Sequence, residues 1–169
     1  QEGNAAFLAT TIDGRLYAIP ETSGSVDGID VMWIRKDWLD KLGLEAPTTV
    51  DEMMNVIEKF TTEDPDGNGE DDTYGLGISG SPNLFNGNFG SMRGFFDAYN
   101  AHPTIWYEKD GELVYGGIQE ECKAALTAIN EMYEKGWINP EFGVMDAGKS
   151  GEAAASGKCG MTFGPQWLS

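Results

Sequence analysis

Ile29-Asp-Val-Met-Trp-Ile-Arg-Lys-Asp-Trp-Leu-Asp-Lys-Leu-Gly43 passes from a β-branched, aromatic run directly into an amphipathic one. The spacing predicts a strand over 29–35 that feeds a short helix over 36–42. Gly43 suits the left-handed position that ends a helix. Thr49-Val-Asp-Glu52 then forms a capping box, in which the threonine hydroxyl accepts from the amide of Glu52 while that carboxylate reaches back. Val50, Met53, Met54, Ile57 and Phe60 recur at helical spacing, so a second helix follows with its methionines read as core.

Outward from this unit the same alternation continues. Tyr74 to Ser79 reads as a strand with alternating apolar positions, one face buried, and the next helix carries Met92, Phe95, Phe96 and Tyr99. Residues 105–107 and 113–115 flank Lys109-Asp110-Gly111, whose Asp-Gly pair favours a tight hairpin turn. The longest helix is expected from Gln119 to Lys135, with Cys122, Leu126, Ile129 and Tyr133 as its buried stripe and Gly136 as its stop. A short helix over 151–156 and a last strand, Cys159 to Phe163, complete the chain. Upstream, Asp13 to Pro20 reads as a turn and a short strand, and 21–28 as a Ser/Gly-rich loop. Strands alternating with helices, with one hairpin interposed, argue an α/β fold with a partly parallel sheet.

The chain has 169 residues, room for one ordinary domain, with no internal repeat or interdomain linker. Its apolar runs fall far short of the roughly 20 residues that span a bilayer. A net charge of −17 repels phosphate backbones and anionic lipid, so cations and neutral solutes are the expected partners, not nucleic acid. Cys122 and Cys159 are too few for a disulfide scaffold or a four-ligand zinc site. They read as buried free thiols, although pairing stays open. The opening Gln-Glu-Gly-Asn-Ala and the end just past a strand read as a piece of a longer protein.

One motif carries specific chemistry. Asp64-Pro-Asp-Gly-Asn-Gly-Glu-Asp-Asp72 sets Asp64, Asp66, Asn68 and Asp72 at loop positions one, three, five and nine. Gly69 stands at position six, where an EF-hand loop turns sharply, and Glu70 at seven would lend its carbonyl. A set of hard oxygen donors on a flexible loop points to structural Ca2+ held at about 10⁻⁴–10⁻³ M. Position twelve is Gly75 rather than a bidentate glutamate, so water, Asp71, Thr73 or another part of the fold must complete the site. The competing reading is a solvated acidic loop.

Five phrases occur in register: Asp13-Gly-Arg-Leu-Tyr-Ala-Ile-Pro20, Trp33-Ile-Arg-Lys-Asp-Trp-Leu-Asp-Lys-Leu-Gly-Leu44, Pro47-Thr-Thr-Val-Asp-Glu52, Lys135-Gly-Trp-Ile-Asn-Pro140 and Gly157-Lys-Cys-Gly-Met-Thr-Phe-Gly-Pro-Gln-Trp167. Together they resemble the extracellular solute-binding proteins of ABC sugar importers, nearest the Gram-positive lipoprotein group and distantly the maltose- and alginate-binding proteins. The resemblance implies one lobe of a periplasmic-binding-protein-like, type II two-lobed fold, a mixed sheet flanked by helices. Residues 1–169 would be a single domain, most of the C-terminal lobe and truncated at both ends, with 1–20 near the hinge. It also implies a carbohydrate ligand, ABC permease subunits as partners and a monomer. The location would be extracellular, on the cell surface through a lipid anchor outside this chain, or periplasmic in a Gram-negative host.

In such proteins a tryptophan at the position of Trp167 faces the cleft and stacks on a sugar ring, as an indole does on the apolar face of a pyranose. Gln166, Asn86, Asn88 and Arg93 are candidates for hydroxyl or carboxylate contacts, and Phe85 and Phe89 for stacking. Trp33, Trp38, Trp106 and Trp137 are expected to pack. Two other classes compete: a calcium-stabilised carbohydrate-active enzyme fragment, and a calcium-dependent adhesion or assembly module. No catalytic motif favours the enzyme, and His102, the only histidine, sits before Pro103 in a loop and reads as a surface residue.

Overall fold

The computed structural model describes residues 3–21 and 28–168. A small hairpin, β1 (Thr11–Ile12) and β2 (Arg15–Leu16), precedes β3 (Asp30–Ile34), α1 (Lys36–Leu42), α2 (Val50–Thr62) and β4 (Tyr74–Gly77). Then come α3 (Arg93–Ala98), the hairpin β5 (Trp106–Lys109) and β6 (Glu112–Tyr115), α4 (Glu120–Glu134), α5 (Ala147–Ala155) and β7 (Cys159–Pro165). Most of the loop expected over 21–28 lies outside the described residues.

The last strand is the centre of the main sheet, whose order is β3-β7-β4. β3 runs antiparallel to β7, with Asp30 opposite Pro165 and Ile34 opposite Met161. β4 runs parallel, with Tyr74 opposite Cys159, and Ile138 extends that side through a bridge to Leu76. The partly parallel sheet read from the chain is therefore present, as a mixed one. All of β7 is buried, since α2, α3 and α5 pack against it. Gly160 lets Trp38 and Phe60 close over the strand: a methyl there would lie 2.6 Å from the indole. The two rings meet edge to face at 5.3 Å.

Local signals are realised closely. Gly43 takes φ 65 and closes α1. At α2 the Glu52 amide donates to Thr49 Oγ1 at 3.2 Å, and the Thr49 amide donates back to Glu52 Oε2 at 3.2 Å. Met53, Val56, Ile57 and Phe60 are the residues this helix buries. Asp110 and Gly111 both adopt positive φ, as a type I′ hairpin demands.

Three expectations need correction. The buried stripe of α4 is Cys122, Ala125, Ala128, Ile129 and Met132, whereas Leu126 and Tyr133 are about half exposed. The helix turns its small residues inward, which permits close approach to the core. The strand expected after Asp13-Gly14 is only two residues long, and Ile12, Leu16, Tyr17 and Ile19 are exposed. β4 buries both Gly75 and Leu76, so both its faces are covered instead of one. Cys122 and Cys159 are buried and free, as read.

Candidate functional site

Because β4 and β7 are parallel, their carboxyl ends share one edge of the sheet, and antiparallel β3 begins there with Asp30. In α/β folds this is the edge where ligands gather. The 80–90 loop leaves β4 here and is stitched to β7: the Gly90 amide donates to the Phe163 carbonyl at 3.1 Å, and the Ser79 amide to the Gly90 carbonyl at 3.0 Å. Gly90 has φ 75, and a methyl there would lie 2.5 Å from Ser79 N, so this crossing requires glycine. Fully buried Ser91 donates its hydroxyl to Asp30 Oδ2 at 2.8 Å, tying the loop to β3 as well. Neither the Ser79 nor the Ser91 tie has a sequence signature.

Trp167 and Gln166 follow β7 in a 3-10 turn on this edge, and Trp167 is 60% exposed. The loop asparagines are mostly occupied with the loop itself. Asn86 Nδ2 donates to Ser79 Oγ at 3.0 Å, while its oxygen accepts from the Asn88 amide. Asn88 Oδ1 accepts from the Phe89 amide, leaving its NH₂ without a partner among the described residues. The two phenylalanines separate. Phe85 packs edge to face on Phe96 at 5.0 Å and lines a cleft of about 340 Å³ with Arg93, Asp97, His102 and Ile105. Phe89 lines another recess of about 170 Å³, with Trp33, Arg35 and Met161. Of the seven nominated residues, Phe85 and Arg93 share a cavity; Trp167 and Gln166 share only the edge.

The acidic loop curls around Asp64. Its carboxylate accepts from the amides of Gly67, Asn68 and Gly69 at 2.9, 3.1 and 3.2 Å, with Gly67 and Gly69 both at positive φ. The side chains at positions three, five and nine converge: Asn68 Nδ2 lies 2.9 Å from Asp66 Oδ2 and 3.2 Å from Asp72 Oδ1. Lys158 pairs with Asp72, and this, together with Asn68, holds the Asp72 carboxyl below the usual carboxylate range. Lys41 Nζ donates to the Asp64 carbonyl at 2.9 Å. Among the described residues no three His, Cys, Asp or Glu side chains are grouped tightly enough to hold a metal by themselves. The groups that converge are two carboxylates and the NH₂ of Asn68, whose own oxygen accepts from the Glu70 amide at 2.6 Å. The empty twelfth position has a steric cause. A methyl on Gly75 would fall on the Ile57 carbonyl group, 2.6 Å from its carbon and 2.7 Å from Cα.

The remaining reactive groups are quiet. Burial pushes the Cys159 thiol up to about 11, and burial likewise raises Cys122, so neither is a thiolate at neutral pH. His102 Nδ1 meets Asp97 Oδ1 at 3.2 Å, half exposed beside the Tyr107 ring. Trp38 and Trp137 are buried as expected and Trp33 is half-buried. Trp106 is not packed: it is 63% exposed, with its ring 5.4 Å from that of Tyr115 on the outward face of the hairpin.

The family of bacterial extracellular solute-binding proteins matches residues 3–168. The polygalacturonan/rhamnogalacturonan-binding protein YtcQ of Bacillus subtilis is 36% identical over 91% of the chain and 29% of its own length. Lipoprotein LipO of the same organism is 34% identical over 90% of the chain and 29% of its length. The Streptococcus pneumoniae ABC-transporter substrate-binding protein FusA, in complex with kestose, superposes with a TM-score of 0.74 at 29% identity, covering 98% of this chain and 34% of FusA. A FusA EF-hand mutant in complex with fructo-nystose superposes at 0.68 and 28% identity, covering 83% of this chain and 28% of that one. The chain thus spans about 29% of the curated relatives it matches.

Proposed function

Because this chain belongs to the bacterial extracellular solute-binding proteins, we propose that it is most of the C-terminal lobe of a receptor that captures carbohydrate for an ABC importer. The observation that carries this reading is the strand-end edge of the main sheet, where an exposed Trp167 and the mouth of the β4–α3 loop face solvent together. An indole packs on the apolar face of a sugar ring, and planar polar side chains take its hydroxyls. The names of YtcQ and FusA, one for polygalacturonan and rhamnogalacturonan and one for fructooligosaccharide, support an oligosaccharide ligand.

A ligand held by two lobes favours the closed state, because only that state makes both sets of contacts. The exposed apolar residues of β1 and β2 suit a segment near the hinge. The permease would read the outer surface of the closed form, and the receptor would work as a monomer on the cell surface, tethered by a lipid as the name of LipO implies for that relative. The loop oxygens of Asp64, Asp66, Asn68 and Asp72 and the Glu70 carbonyl would hold structural Ca2+, with water completing the sphere at Gly75. The ion would brace the connection between α2 and β4.

Native mass spectrometry of the full-length gene product, mixed with an oligosaccharide pool and calcium, tests the receptor. Capture of one intact oligosaccharide mass is the expected result, with Trp167→Ala weakening it at least tenfold while the melting temperature holds. Shorter products that accumulate with time would replace the receptor with an enzyme. Absence of any captured sugar would favour an assembly module.

A further inference from the structure

We infer that the cleft between α3 and the 101–105 turn takes a hexuronate residue, with the sugar carboxylate on the Arg93 guanidinium. This rests on the receptor reading above and narrows its substrate to acidic oligosaccharides. The chain holds 28 acidic residues against 11 lysines and arginines, so its cations are readily consumed by neighbours. Arg35 pairs with Asp37, Lys36 with Asp40, Lys59 with Glu63, Lys109 with Glu121, Lys135 with Glu131 and Lys158 with Asp72.

Arg93 is an exception. It makes no ion pair and no side-chain hydrogen bond among the described residues, and it lines the cleft of about 340 Å³ walled by Phe85 and Phe96. Its natural helix partner, Asp97 one turn on, faces the same cleft but meets His102 Nδ1 instead, at 3.2 Å. Asp97 and Arg93 therefore remain as separate polar groups on one wall. Phe85, held edge to face by buried Phe96, supplies the apolar wall opposite in chemistry.

A hexuronate ring matches all three features. Its C–H face meets the Phe85 side of the cleft, its hydroxyls donate to Asp97, and its carboxylate takes the two-pronged donor edge of the guanidinium. A neutral hexose matches the first two but offers the guanidinium only hydroxyls, which are weaker acceptors than a carboxylate. The volume, about 340 Å³, accommodates one ring of a longer chain. With the whole chain at −17, no general field draws in anions, so recognition of an acid must come from one local cation placed in a cleft.

The test uses the full-length protein and calorimetric titration with an oligogalacturonide and its fully methyl-esterified form at equal length. These ligands share one sugar backbone and differ at the carboxyl, an anion in the acid and a neutral methyl ester in the other. The parent should prefer the free acid by roughly ten- to a hundredfold, the range of a charge-assisted, two-pronged hydrogen bond. Arg93→Gln should bring that ratio close to one, and Arg93→Lys should restore only part of it, because an ammonium is a point charge without the planar fork. Both variants should melt with the parent, since the side chain has no polar partner to lose among the described residues. Equal affinity of the parent for acid and ester, or an unchanged ratio in Arg93→Gln, overturns the inference. Trp167-dependent capture of a neutral oligosaccharide alone also overturns it while leaving the receptor reading intact. Failure to capture any sugar removes the receptor reading itself.

Discussion

Gly75 stands at the last position of the acidic loop and at the second residue of β4, and these two places make opposite demands. A calcium loop would use a glutamate there. The strand cannot accept one, because α2 crosses so closely that an added Cβ would lie 2.6 Å from the Ile57 carbonyl carbon. An ordinary contact between carbons needs about 3.5–4.0 Å, so strand and helix would have to part by about 1 Å. Ile57 is fully exposed to the core and not at all to solvent, and its helix also buries Met53, Val56 and Phe60. Overpacking of this kind costs about 1–3 kcal/mol, offset in small part by the entropy that alanine saves over glycine. We expect Gly75→Ala to lose about 2 kcal/mol, a fall of roughly 4–8 °C in Tm for a chain of this size. Urea unfolding with an unchanged slope measures the loss. Gly143→Ala is the control: its added methyl meets nothing within 4 Å, and the change should stay within about 0.5 kcal/mol. Gly75→Glu should destabilise further and fail to tighten calcium binding. A Gly75→Ala protein as stable as the control, or a Gly75→Glu protein that binds calcium more tightly, would refute the steric account of the missing ligand.

Thr49→Ala removes one half of the α2 capping box and should cost about 1 kcal/mol by chemical denaturation. Hydrogen bonds from the Thr48 amide and hydroxyl, with those from Thr49, hold the Glu52 carboxyl below its ordinary range. The cap's contribution is therefore present above the unfolded-state value and fades as pH falls through the folded one, so the penalty of Thr49→Ala should shrink in acid. Cys159 has the opposite sign: its thiol is raised from 9.0 to about 11, so the folded chain keeps a proton that the unfolded chain releases. Stability should be intact below pH 9 and fall by roughly 2–3 kcal/mol as pH rises through 11. Cys159→Ala should flatten that alkaline slope whatever its effect at pH 7, and an unchanged slope would remove the cysteine as its cause. In the folded protein at pH 8, neither thiol should react with a chromogenic disulfide on the timescale of a free cysteine.

Residue order alone determined the features whose causes lie within a few residues. The helix stop at Gly43, the Thr49–Glu52 box and the Asp110-Gly111 turn each depend on a backbone angle or a hydrogen bond between near neighbours. The α/β alternation followed from the same local periodicity. Tertiary structure alone decided what depends on which surfaces meet. Trp137 and Trp106 are equally apolar in sequence, yet one is sealed under the core and the other stands in solvent, because a two-stranded hairpin has a second face that nothing in the described residues covers. Leu126 lost its place in the α4 stripe to Ala125, since a close helix contact rewards the smaller side chain. Phe85 and Phe89, four residues apart in one loop, open on different recesses because Asn86 and Asn88 bend the chain between them. Among the described residues Arg93 has no ionic partner, and Asp97, one turn on, meets His102, folded back from beyond α3. Pairing of charges, like burial, is a competition among neighbours in space, and the competitors are assembled only when the chain has folded.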